Sequence, residues 1–104
     1  MEREVRNAAE RGNLQRVQQL VEQGVDKEAH DGIGWTPLHN AVKYGHLNIV
    51  QYLVEQGANK EARTNWGTTP LHEAAFYNNF DVLQYLVQQG ADLTACTIAN
   101  KTPL

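Results

Sequence analysis

Four histidines, one cysteine and twelve carboxylates are the groups in this 104-residue sequence best suited to cut, transfer or coordinate. Their spacing argues against each of those chemistries. His39 and His72 stand 33 residues apart, and no carboxylate or cysteine is spaced to complete a tetrahedral metal site with either. Cys96 would need a neighbouring base and a depressed pKa to act as a nucleophile, and its surroundings offer neither. Glu73 and Asp81 could serve as paired carboxylates. Asp81, however, reads as a first-turn residue, where a negative charge meets the positive end of a helix dipole. The chain has no serine, no Gly-rich phosphate loop and no CxxC. No catalytic residue, metal or cofactor is expected, and the sequence reads as a protein that is not an enzyme.

The elements that carry these residues recur. Residues 30–62 align without a gap on 63–95, with fifteen of 33 positions identical. Residues 1–29 align on 34–62 in the same register, with fourteen of 29 identical. A fixed period of this length is the signature of a stacked repeat array. Each unit predicts two short helices and a turn-rich loop. Thr36 and Thr69 are helix N-caps followed by Pro37 and Pro70, and proline is tolerated there because the first-turn N–H has no helical partner. Gly12, Gly45 and Asn78 mark left-handed ends of the first helices, and Gly24, Gly57 and Gly90 those of the second. The second helices bury the columns Leu14/Leu47/Phe80, Val17/Val50/Leu83, Leu20/Leu53/Leu86 and Val21/Val54/Val87.

The recurring T-P-L-H-x-A at 36–41 and 69–74, with Gly45-His46-Leu47, Ile49-Val50 and Gly57-Ala58-Asn59, resembles the ankyrin repeat over nearly the whole chain. The resemblance implies an all-α solenoid of helix-turn-helix units with projecting β-hairpin-like loops. It also implies that His39 and His72 make hydrogen bonds within and between repeats, and that His46 is structural. Units are expected at 1–29 (a polar N-terminal cap, with Arg16 and Gln19 in place of apolar residues), 30–62 and 63–95. Residues 96–104 are expected to be the truncated start of a fourth unit, loosely held, leaving the last face uncovered. On this view Met1 is a true start and the chain stops short within a longer protein.

Partners in that family bind the loop tips and the open face of the first helix. The matching positions are Ile33, Trp35, Asn65, Trp66 and Thr68 on the loops, and Lys43, Tyr44, Glu73, Phe76 and Tyr77 on the helices. Five of the eight aromatic residues fall on this strip, and large rings gain from a binding surface rather than from water. Intra-array packing, such as Ile33 covering Trp66, is the competing explanation. The expected function is a non-catalytic protein–protein interaction module. The alternative is a targeting or regulatory segment of a larger protein whose activity lies elsewhere.

The bulk properties agree with a small folded domain. Leu, Ile, Val and Phe supply 24 residues, about 23% of the chain, enough for a packed core. Net charge is −3 with no repeat-spaced basic column, so no nucleic acid is expected as a partner. No apolar run spans a bilayer and the N-terminus lacks the apolar region of a signal peptide, so no membrane insertion is expected. A lone cysteine fits an intracellular, reducing compartment. A monomer is expected, with self-association through the uncovered C-terminal face as a risk.

Overall fold

The computed structural model describes residues 2–91. Cys96, Leu104 and the expected fragment of a fourth unit lie outside the described residues, as does Leu93. The described chain forms α1 (Glu2–Arg11), α2 (Leu14–Glu22), α3 (Pro37–Lys43), α4 (Leu47–Glu55), α5 (Pro70–Phe76) and α6 (Phe80–Gln88). These are three antiparallel pairs in two layers. In one layer α1 packs on α3 and α3 on α5; in the other α2 packs on α4 and α4 on α6.

Local chemistry sets the helix starts. Thr36 takes an extended backbone and its hydroxyl accepts the His39 N–H, while the His39 ring answers the Thr36 N–H. Thr69 and His72 repeat this reciprocal cap on α5. A capping box normally uses Glu or Gln in the third helical position. Histidine does the same work here and still has a second ring nitrogen to spend elsewhere.

The ends of the first helices follow the expected column. Gly12, Gly45 and Asn78 have φ of 77°, 72° and 60°. Asn78 is the one non-glycine residue with positive φ among those described, and asparagine tolerates that region because its short polar side chain bonds locally. The chain then turns back at once, with the His46 N–H reaching Ala41 O at 2.9 Å and the Asn79 N–H reaching Ala74 O at the same distance.

The core takes in part of the expected columns, with Val21, Val54, Leu83 and Val87 only half-buried at its margin. Val5, Val17, Leu20, Leu38, Ile49, Val50, Leu53, Leu71, Val82 and Leu86 are fully enclosed, each contributing about 1.5–3 kcal/mol. The expected burial of Phe80 does not hold, because it is 67% exposed. Its column equivalents Leu14 and Leu47 are half-buried and packed against the core. Among the described residues no pair follows α6, so the ring stays in water. The first pair carries polar residues where its neighbours are apolar: Arg16 pairs with Glu4 and bonds Gln19.

The two long loops form no strand among the described residues. Each closes as a turn, with Asp31 N–H to Trp35 O at 3.2 Å and Thr64 N–H to Thr68 O at 2.9 Å. A single ladder-like bond, Asn65 N–H to Ile33 O at 2.8 Å, joins one tip to the next. The hairpin-like form arises from these turns and that link.

Candidate interaction surface

The tips are shaped by side chains that accept backbone N–H groups. Asp31 Oδ1 accepts from both Ile33 and Trp35, each at 3.0 Å. Thr64 Oγ1 occupies the equivalent place and accepts from Trp66 and Thr68, each at 3.3 Å. Ile33 and Trp66 therefore sit at matching points of successive loops, pointed outward by the same local bonds. The idea that Ile33 covers Trp66 fails: the indole is 69% exposed and Ile33 40%.

The other loop positions are partly structural. Trp35 is half-buried, its ring centroid 5.1 Å from that of His39. Asn65 is exposed, yet its amide donates to Gly32 O and fixes the preceding tip. Thr68 is half-buried; its hydroxyl meets Thr64 at 2.6 Å and its carbonyl faces His39 Nε2 at 3.4 Å. That last contact crosses between repeats, as the resemblance implied.

On the helices the rings are open. Tyr44 is 46% exposed, Phe76 67% and Tyr77 37%. Phe76 and Tyr77 meet edge to face with centroids 4.9 Å apart. The Lys43 ammonium lies among three rings, 5.9 Å from Trp35, 5.3 Å from Tyr44 and 5.5 Å from Tyr77. Glu73 departs from expectation. It stands in the open-face column but is only 8% exposed. Burial pushes its carboxyl above the ordinary range, while a Thr68 hydrogen bond and the Lys43 charge pull it back.

Side chains also tie the repeats together beneath this surface. Asn40 donates to Arg6 O at 3.3 Å. His46 Nε2 meets Glu10 O at 2.9 Å. In the same column Asn79 donates to Val42 O at 2.6 Å and Lys43 O at 3.1 Å. The departure from Gly-His to Asn78-Asn79 thus keeps both functions of the pair, the left-handed turn and the cross-repeat bond.

An open polar groove of about 380 Å³ at the loops is lined by Glu28, His30, Thr36, Asn59, Arg63 and Asn65. Among the described residues no three His, Cys, Asp or Glu side chains converge as metal ligands, and no helix is long and apolar enough to cross a membrane. Sequence reasoning missed three features of this surface. One is the exposed Phe80 and another the burial of Glu73. The third is the clustering of three rings on Lys43: Tyr44 and Tyr77 share a column, but Trp35 and Lys43 belong to others, and the period does not show where the lysine side chain leans.

A family model described as ankyrin repeats (3 copies) matches residues 5–96. No curated protein matches the chain.

Proposed function

Since the chain belongs to the ankyrin-repeat family, whose repeats are generally protein–protein interaction modules, we propose that it binds a partner protein through the strip of Ile33, Tyr44, Trp66, Phe76 and Tyr77, without catalysis. The observation that carries this reading is the exposure of the rings. Trp66 and Phe76 each leave about two-thirds of their surface in water, at 69% and 67%, on a face whose backbone is already fixed by hydrogen bonds. Tyr and Trp side chains dominate binding hot spots because they bring much apolar area with few rotatable bonds. A preformed surface also loses little conformational entropy when it binds. Lys43 and Trp35 support the strip and meet the partner at its edge. Thr68 and Glu73 support it from beneath, and Asn65 fixes the neighbouring loop tip.

The test is capture from a cell lysate, with wild type set against a Trp66→Ala, Phe76→Ala, Tyr77→Ala variant of unchanged circular dichroism. Each anchor is expected to contribute about 2 kcal/mol or more, so the triple variant should lose the captured protein entirely. Equal capture by both would place the binding surface elsewhere.

A further inference from the structure

We infer that the partner brings a carboxylate to Lys43: the segment that covers Trp66, Phe76 and Tyr77 carries an Asp or Glu side chain flanked by apolar residues. The inference rests on the aromatic strip being the binding surface, and it specifies the chemistry of what binds there.

Lys43 is the last residue of α3, and its ammonium lies within 5.9 Å of the centroids of Trp35, Tyr44 and Tyr77. These rings come from a loop, the end of α3 and the end of α5. Their faces attract a cation but do not neutralise it. Among the described residues no carboxylate lies within ion-pair distance of Lys43. Glu73 feels the Lys43 charge from beyond ion-pair distance, but it is 8% exposed and hydrogen-bonded to the Thr68 side chain, so it offers the ammonium no direct bond. Among the described residues the ammonium makes no hydrogen bond to protein, which leaves its N–H donors to water.

A partner that covers Phe76 and Tyr77 removes that water. A cation stripped of water and left without an anion is heavily penalised, enough to cancel what an aromatic anchor contributes. A neutral segment would incur that penalty, and a basic one would add repulsion. A carboxylate resolves it by taking up the free N–H donors in a charge-assisted bond. Lys43 is half-buried, and the exposed charges on the first-helix columns of this strip are Glu10 and Arg11, adjacent and opposite in sign. They leave Lys43 to set the preference.

The experiment selects phage-displayed random peptides on the full chain and scores each binder for loss on Trp66→Ala and Phe76→Ala. Strip-dependent peptides are expected to be enriched in Asp or Glu beside an aromatic or aliphatic residue. They should bind Lys43→Met about tenfold or more weakly, and selection on Lys43→Glu should yield Lys or Arg at the same place. Strip-dependent peptides without acidic enrichment, or with equal affinity for Lys43→Met, would overturn the inference and leave the strip as the binding surface. A pool with no strip-dependent peptide would overturn both. The acidic enrichment is read from the wild-type pool alone, so it stands even if a Lys43 variant misfolds.

Discussion

His39 is held at both ring nitrogens. The Thr36 N–H donates to Nδ1, which must then be unprotonated, so the proton sits on Nε2 and faces the Thr68 carbonyl. Desolvation lowers its pKa from the ordinary 6.5, outweighing the carbonyls of Thr68 and Ala62 and the charge of Asp31. The unfolded chain therefore takes up a proton at higher pH than the folded one. Its stabilising contribution is complete above 6.5 and is lost as pH falls from there through the lower folded value. Glu73 acts in the opposite sense. Its carboxyl is raised above the ordinary 4.5, so the folded state holds the proton more tightly and stability falls as pH rises from 4.5 through the folded value. Melting temperature measured against pH should show a loss on the acid side of 6.5 that is flattened in His39→Gln, at a cost of about 1–3 kcal/mol at neutral pH for disturbing a buried polar network. An unchanged slope in that variant would assign the acid loss to other groups.

The joints between elements carry the next prediction. Adding a Cβ at Gly12, where φ is 77°, would place it 2.7 Å from the His46 ring, so Gly12→Ala combines left-handed strain with a clash. It should cost about 1–2 kcal/mol from the backbone alone. Asn78→Gly at the equivalent joint removes a side chain from a φ of 60° and should be neutral or stabilising. Asn79→Ala strips the donor from two carbonyls and should cost about 1–3 kcal/mol, with Asn79→His restoring part of it, as His46 does one repeat earlier. Urea denaturation of the four variants tests the set, and equal stability of Gly12→Ala and Asn78→Gly would contradict it. These joints were legible in the sequence because a glycine or asparagine recurring every 33 residues demands a backbone reason. The same register found the caps and much of the core and, with the family resemblance, put Tyr44, Trp66, Phe76 and Tyr77 on a face where they are exposed. It did not find the burial of Glu73 or the gathering of rings on Lys43. Both depend on how long side chains lean across from one repeat to the next, and a column of letters does not encode that lean. It missed the exposure of Phe80 because a column fixes direction, whereas burial needs a neighbour.

At the scale of the molecule each helix pair is stabilised by those beside it, so the position of a residue in the stack matters as much as its chemistry. Leu38 and Leu71 are equivalent residues, each 1% exposed. Leu38 lies in α3, which packs on both α1 and α5, whereas Leu71 lies in α5 and has one such neighbour among the described helices. Truncation to alanine should cost about 2–5 kcal/mol at either site. Leu38→Ala should be the more damaging and should weaken hydrogen-exchange protection in all three pairs. Equal losses, each confined to its own pair, would mean that the pairs fold independently. The cross-repeat bonds are not spread evenly over the stack. Asn40 to Arg6, His46 to Glu10, Asn79 to Val42 and Lys43, and Asn65 to Ile33 lie along the first helices, the joints to the second helices and the loop tips, whereas one such bond, Asn59 N–H to Glu28 at 2.9 Å, is found in the loops that follow the second helices. No side-chain hydrogen bond joins one second helix to the next among the described residues, and these helices meet through apolar side chains such as Val17, Val50 and Val82. Directional bonds fix a distance more tightly than apolar contacts do, so any flexing of the array should open or close its second-helix side first. The spacing of the rings should then change least, a ruler of nearly constant pitch on a more compliant back.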